Sequence, residues 1–312
     1  MIKKVFISTT SFAKDDPAPL RLLKEAGLEI CLNTLGKKLD EKEISGFLTD
    51  TDYLIAGTES LTKAVLESAK RLKIISRVGV GLDNVDLDTA KRIGIKVYNT
   101  PYGPTQPVAE LTVGMILGML RMLPLMDKDI RLGIWKKRTG SLLKGKKVGI
   151  IGFGRIGQKV AELLTPFGVE ISYYDLQPVK GAQNYPLKPL KELLQWSDII
   201  SLHCSPLPDN KPVLGKDELK NVKKGAWVVN TSRGGIIDEE SLYASLKNGD
   251  LSGAALDVFD KEPYKGPLTS LNNVILTPHI GSYAKEARIK MELEATENLL
   301  TGLKSNQENK KI

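Results

Sequence analysis

Cysteine and histidine are scarce in this chain, with two of each among 312 residues. Cys31 and Cys204 cannot build a disulfide framework or a thiolate metal site, so no metal is expected. A reducing, cytoplasmic setting is the default for such a composition. Long apolar runs are missing too. The N-terminal segment MIKKVFISTT holds only three apolar residues in a row, too few for a signal-peptide core. The longest apolar region, Val108 to Met126, is interrupted by Glu110 and Arg121. A membrane span needs about 20 mostly apolar residues, so a buried or interfacial helix is expected instead. Basic residues are in excess, with a net charge of +8, which favours anionic ligands. They are scattered, however, and cluster only at Lys136 to Arg138 and Lys144 to Lys147. Nucleic acid is therefore not the expected partner.

What is present is ordinary globular sequence, 41% hydrophobic and 26% charged, and long enough for two hydrophobic cores. Short apolar runs alternate with helical patterns almost from end to end, the arrangement of parallel sheets covered by helices. The first strands are expected near Val5 to Ser8, Leu28 to Leu32, Tyr53 to Ala56, Lys73 to Arg77 and Ile95 to Tyr98. After the turn-forming cluster Asn99 to Pro104, six more follow: Lys147 to Ile151, Val169 to Tyr174, Asp198 to Cys204, Ala226 to Asn230, Ser252 to Val258 and Val274 to Thr277. A final helix is expected over Ala284 to Leu303, then a polar tail from Ser305 to Ile312.

The strand KKVGII runs into Gly152-Phe153-Gly154-Arg155-Ile156-Gly157, a G-x-G-x-x-G string that opens a helix. Gly152 allows the tight turn, Gly154 lets backbone approach a pyrophosphate, and Gly157 lets helix pack on strand. The helix N-terminus offers its unpaired N–H groups to the phosphates. The next strand ends in Asp175, about 18 residues past the last glycine, where the ribose-binding acid of this motif belongs. Asp175 would bind ribose hydroxyls and repel a 2′-phosphate, and Leu176-Gln177-Pro178 supplies no arginine to counter it. NAD is therefore expected over NADP.

His203 and His279 both sit at the C-terminal end of an expected strand, where open α/β sheets bind ligands. His279 precedes Gly281 and Ser282, a loop that can approach a cofactor; His203 reads as a structural residue. Arg233, beside Gly234 and Gly235 at a strand end, has the planar fork that suits a carboxylate, though a surface arginine is the plain alternative. Glu262 reads either as a solvated loop acid or as a partner that orients His279 and favours its protonated form.

These segments, in this order, resemble the D-isomer-specific 2-hydroxyacid dehydrogenases, and most closely their phosphoglycerate dehydrogenase branch. The resemblance covers nearly the whole chain and includes RVGVGLDNVD from Arg77, the glycine fingerprint, NTSRGGIIDE, GAALDVFDKEP and TPHIGS. It implies a flavodoxin-like substrate domain (1–99 and 284–312) and a Rossmann NAD-binding domain (100–283). It implies a catalytic trio of Arg233, Glu262 and His279, and a substrate carboxylate held near Arg77 by backbone around Val78, Gly79, Val80 and Gly81. Asp257 would contact the nicotinamide amide, Cys204 would lie near the adenine, and Thr231, Ser232 and Gly281 would line the cofactor. Residues 102–131 would form a homodimer interface, which would explain so apolar a helix; burial within one chain is the other explanation.

The activity implied is interconversion of a 2-keto acid and a D-2-hydroxy acid, with 3-phosphoglycerate a candidate substrate. In the reductive direction Arg233 polarises the keto oxygen and His279 gives the proton. Three departures from the family pattern stand out, of which the first bears on the substrate. The loop after the third strand, Ala56-Gly57-Thr58-Glu59-Ser60, carries an acid where phosphoglycerate enzymes usually carry a basic residue. Arg77, or Lys136, Lys137 or Arg138 of a dimer partner, would then have to meet a phosphate. Pro206 and Pro104 also stand where the family pattern differs. The chain ends soon after its last helix, so feedback through an added regulatory domain is not expected. Two alternatives remain: activity on an unphosphorylated acid such as hydroxypyruvate or glyoxylate, and a non-enzymatic NADH-sensing protein resembling the C-terminal-binding-protein corepressors.

Overall fold

A computed structural model describes residues 2–207, 209 and 211–308. The chain divides into two compact units, Met1–Pro104 with Ser282–Ile312, and Thr105–Gly281. The first boundary falls five residues later, and the second two residues earlier, than the sequence reading placed them. Packing supplies the reason. A Cβ on Gly103 would lie 2.1 Å from Met291 Cγ, so the turn after the fifth strand belongs with the C-terminal helix. Gly281 instead donates its N–H to Asp257 at 2.7 Å and stays with the second unit.

The first unit runs β1 (Lys3–Ile7), α1 (Ala18–Glu25), β2 (Leu28–Leu32), α2 (Glu41–Leu48), β3 (Tyr53–Ala56), α3 (Lys63–Ser68), β4 (Ile74–Arg77), α4 (Leu87–Arg92) and β5 (Lys96–Tyr98). Its five parallel strands lie in the order β2-β1-β3-β4-β5. Because side chains alternate across a strand, Phe6 and Leu54 enter one core with Ile44, Leu48 and Val65. Val5, Ile7 and Ile55 enter another with Leu23, Met291 and Leu299. The C-terminal helix, Lys285–Glu308, thus closes the second face of this sheet. It continues five residues past its expected end, and the rest of the expected polar tail lies outside the described residues. At the start of α2, Asp40 and Glu43 cap each other's backbone N–H groups at 2.8 and 3.0 Å, satisfying donors that the helix leaves unpaired.

The second unit opens with α5 (Thr105–Leu120) and α6 (Leu123–Arg131), then runs β6 (Lys147–Ile151), α7 (Arg155–Leu164), β7 (Glu170–Tyr174), α8 (Leu190–Trp196), β8 (Ile199–Leu202), α9 (Lys216–Lys220), β9 (Ala226–Asn230), α10 (Glu239–Asn248), β10 (Leu251–Leu256) and β11 (Val274–Leu276). The strands lie parallel in the order β11-β10-β9-β8-β6-β7. Leu187 makes one further parallel bridge to Tyr173 on the outer edge of β7. With that bridge counted, the sheet follows the order of a Rossmann dinucleotide fold.

The apolar stretch that began as one run breaks at Met122, which takes a left-handed φ of +51°. The two helices it separates are bent by 64°. Helix α5 buries Val108, Ala109, Met115, Ile116 and Met119, and several of these share a core with Val160, Ala161 and Leu164 of α7. Its apolar character is therefore explained by burial within this unit. Among the described residues, no single helix is long and apolar enough to cross a membrane.

Candidate active site

The glycine loop follows β6, at the point where the strand order reverses between β6 and β8. Gly152 has φ +86°, and a Cβ there would lie 2.5 Å from the Cys204 nitrogen. Only glycine serves at this position, for conformation and for space. A Cβ on Gly157 would lie 2.3 Å from the Gly152 carbonyl oxygen, so helix and strand pack closely there. Around Gly154 there is open space, and it stands before α7 without a side-chain cap. Arg155 is exposed and Ile156 half-buried at the first turn. Open backbone donors at a helix start, with no side chain in front, are what a pyrophosphate needs.

Asp175, just past β7, accepts from Phe153 N at 2.7 Å and from Leu176 N at 2.8 Å. Its carboxyl is thereby fixed against the glycine loop, with lone pairs left on both oxygens. Burial pushes the Cys204 thiol up to about 11, and pushes the His203 imidazole down to about 3. His203 Nε2 pairs with Ser201 Oγ at 2.8 Å. A neutral, hydrogen-bonded His203 fits the structural role expected of it.

The other residues expected at the site lie on the loops after β9, β10 and β11. The Asn230 side chain, at the end of β9, accepts from Ser232 N at 3.0 Å and from Ser232 Oγ at 2.7 Å. It also donates to the Arg233 carbonyl at 2.9 Å. Asn230 therefore shapes the turn that presents Arg233, a role the sequence reading missed. An asparagine followed by Thr, Ser and two glycines was the available signal. Gly234 has no room for a side chain, since a Cβ would sit 2.0 Å from the Phe259 carbonyl oxygen. Thr231 is buried and paired with Thr112 of α5 at 2.8 Å.

His279 stands in the left-handed region with φ +56°, a conformation that costs a non-glycine residue on the order of 1–3 kcal/mol. Asp257, fully buried at the end of β10, holds it there. Its carboxyl accepts from Thr277 Oγ1 at 2.5 Å, Ile280 N at 2.8 Å and Gly281 N at 2.7 Å. Burial nevertheless pushes this carboxyl above its usual range, against the pull of those bonds. Asp257 is thus a clamp on the histidine loop, and Thr277 is a second residue that sequence reasoning passed over. His279 Nδ1 meets both oxygens of Glu262, at 3.1 and 3.0 Å. Glu262 in turn accepts from Phe259 N at 3.3 Å. The arrangement is an imidazole oriented by a carboxylate, able to hold and release a proton.

In the first unit, Arg77 is buried and donates through Nε to Asn84 at 3.2 Å. Val78 N donates to the Ala56 carbonyl at 2.9 Å, and Gly79 N to Thr100 Oγ1 at 2.8 Å. Two of the four backbone donors named for a substrate carboxylate are therefore committed within the fold. Val80 and Gly81 remain half-exposed beyond them. Glu59 is buried, with only 3% of its surface exposed.

A family model described as D-isomer specific 2-hydroxyacid dehydrogenase, NAD binding domain, matches residues 113–281. The chain is 37% identical over 298 residues to a hydroxypyruvate reductase of Thermotoga maritima, covering 93% of this chain and 95% of that one. It is 39% identical to a D-3-phosphoglycerate dehydrogenase of Methanocaldococcus jannaschii, over 86% of this chain and 52% of the relative. The solved structure of the TT0316 protein from Thermus thermophilus is similar with a TM-score of 0.89 at 35% identity, covering 97% of each chain. The chain belongs to the D-isomer-specific 2-hydroxyacid dehydrogenases. It is accordingly an NAD-dependent oxidoreductase that interconverts 2-keto and D-2-hydroxy acids.

Proposed function

We propose that His279 is the proton-transfer residue of this dehydrogenase, acting on a small anionic 2-keto acid in the reductive direction. The observation that carries the reading is the two-oxygen contact of Glu262 with His279 Nδ1. That contact places the hydrogen on Nδ1 toward the carboxylate and leaves Nε2 to exchange a proton with the substrate oxygen. Glu262 also stabilises the imidazolium from which the proton leaves. Arg233, presented by the Asn230 turn, anchors the carboxylate and polarises the keto oxygen. Within the first unit, the backbone N–H groups of Val80 and Gly81 are the candidates for binding a carboxylate.

When bound, NADH supplies the hydride to the keto carbon. The residues that fit it are Gly152, Gly154, Gly157 and the start of α7 for the pyrophosphate, and Asp175 for the ribose. Cys204 fits the adenine side, and Thr231, Ser232, Asp257 and Gly281 the nicotinamide side. His279→Ala should lower kcat by at least about a hundredfold with the NADH KM nearly unchanged. Near-normal turnover in that variant would remove His279 from the proton-transfer role.

Two substrate readings stand side by side, 3-phosphohydroxypyruvate and an unphosphorylated acid of the hydroxypyruvate or glyoxylate type. The buried Glu59, in a loop without a basic residue, favours the second. A homodimer through the region of residues 102–131 is part of the proposal, with its contact surface moved toward α6 and beyond. There Leu123, Ile130, Leu132 and Trp135 are exposed, Trp135 by 83%. A contiguous exposed apolar surface marks an interaction site, and these side chains are the candidates to form one. The scarcity of cysteine supports a cytoplasmic setting.

A further inference from the structure

Arg233 is followed by two glycines, the residues with the most backbone freedom, and Gly235 uses it with φ +75°. A turn of that kind keeps one conformation only where neighbouring atoms select it. Asn230 holds the turn from the β9 side, donating to the Arg233 carbonyl at 2.9 Å. On the far side the neighbour is the loop after β10, which carries Glu262. A Cβ on Gly234 would lie 2.0 Å from the Phe259 carbonyl oxygen and 2.9 Å from Asp260 N, so the two backbones are in contact. Asp260 Oδ1 accepts from Gly235 N. Asp260 N in turn donates to Glu239 Oε1 at 2.8 Å, and Glu239 is the first residue of α10.

Asp260 is exposed, two residues before Glu262. An exposed aspartate ordinarily turns its carboxylate and its amide to water, and replacing it changes stability little. Here the carboxylate serves the glycine turn and the amide serves α10, so one surface residue joins the loop of Arg233 to the loop of Glu262. Next to it the Glu262 loop is anchored by packing. Phe259 is buried and stacks on Tyr264 with ring centroids 4.3 Å apart, and the Tyr264 hydroxyl accepts from Leu268 N at 3.3 Å. Burial pushes the Glu239 carboxyl above its usual range, and the Asp260 charge adds to this against the pull of the Asp260 N–H. The two acids are held side by side at an electrostatic cost.

We propose that Asp260, held by Glu239, is a positioning residue that fixes the Arg233 turn against the Glu262 loop and so sets the arginine relative to the His279–Glu262 pair. This rests on the dehydrogenase reading above, in which Arg233 anchors the carboxylate and His279 gives the proton. Both side chains must meet one small substrate, and misplacing a group by about 1 Å can cost on the order of a hundredfold in rate. Asp260 acts through the backbone of Gly235, not by touching the substrate. What the role requires at residue 260 is an acceptor oxygen facing Gly235 N; a negative charge is not needed for it.

The test is NADH-linked reduction of several 2-keto acids by the full chain, with kcat and KM separated and NADH affinity read by fluorescence titration. Asp260→Ala should lower kcat at least about tenfold and raise the keto-acid KM, with the NADH Kd within about twofold of wild type. Asp260→Asn keeps an acceptor oxygen for Gly235 N and should recover kcat to within about threefold of wild type. Glu239→Ala should resemble Asp260→Ala in milder form. Because the two residues act as one brace, the double variant should be no more than about twofold worse than Asp260→Ala. Wild-type kcat and keto-acid KM in both alanine variants overturn the proposal. An Asp260→Asn variant as damaged as Asp260→Ala overturns it too, and so does a joint fall of activity and NADH binding, as an unfolded fraction would give. If Asp260→Ala does not fold, Glu239→Ala decides: a kcat loss with intact NADH binding supports the brace, and wild-type kinetics overturn it. A wild type that reduces none of the 2-keto acids strikes instead the dehydrogenase reading beneath it.

Discussion

The loops at the strand ends of the second unit carry residues whose type states their chemistry. Glycines follow β6, an aspartate follows β7, an arginine follows β9 and a histidine follows β11. At the strand ends of the first unit the groups proposed to act are backbone N–H groups at Val80 and Gly81, and beside them lies a buried glutamate, Glu59. The difference is one of chemistry. Hydride and proton transfer need particular side chains, whereas grasping a small carboxylate can be done by main chain that any sequence possesses. The first unit's chemistry is therefore written in geometry, and the second unit's largely in residue identity.

Breaking the second unit's side of this comparison should give the largest effects. His279→Ala is expected to lower kcat by about two to four orders of magnitude, measured by NADH oxidation at saturating substrate. Glu59→Gln, on the first unit's side, should leave the chemistry intact and move only the preference between phosphorylated and unphosphorylated 2-keto acids, by about tenfold. If instead both variants lowered kcat alike, the division of labour drawn here would fail. Asp257→Asn sharpens the comparison within the second unit, because its amide nitrogen would face the Gly281 N–H donor. We expect a stability loss of about 1–3 kcal/mol in urea unfolding, together with a fall in kcat as the His279 loop relaxes. A stable variant with normal kcat would show that the loop needs no clamp.

Two smaller effects probe the cofactor side. Asp175→Ala should reduce the preference for NAD over NADP by about tenfold or more in kcat/KM, since the carboxylate that repels a 2′-phosphate is gone. An unchanged ratio would mean the ribose is read elsewhere. Cys204, with its thiol at about 11, should react slowly with iodoacetamide at pH 8. The thiolate is the reactive form, so the rate should climb about tenfold per pH unit toward pH 11, starting about a hundredfold below an ordinary thiol. Rapid alkylation at pH 8 that NADH blocks would show an exposed thiol in place of the half-buried one.

Much of the fold was legible because the inner strands are buried on both faces and, with the partly covered edge strands, read as short apolar runs between helices. β2, β3, β6 and β9 begin and end at the residues expected from sequence. The break between α5 and α6 was passed over although Pro124, in the first turn of α6, was a signal for it; Met122 itself, which takes the left-handed conformation, carries no such mark. The proposed trio Arg233, Glu262 and His279 was read from residue type and from a family resemblance. The residues that hold it, Asn230, Asp257 and Thr277, act through hydrogen bonds to backbone and to one another. Such roles leave no spacing pattern, since a backbone partner atom is present at every residue.

By itself, the sequence determined the alternation of strands and helices, the glycine fingerprint with its acid, and the two histidines available for proton transfer. It did so because apolar periodicity, the need for glycine at tight turns and the rarity of titrating side chains are local properties. The tertiary structure alone decided which histidine meets a carboxylate and which is sealed against Ser201. It also decided that α5 belongs to a core, and that Glu59 lies buried at the turn of a sheet. Burial and the direction of a hydrogen bond are set by what the rest of the chain brings alongside, and no single stretch of residues contains them.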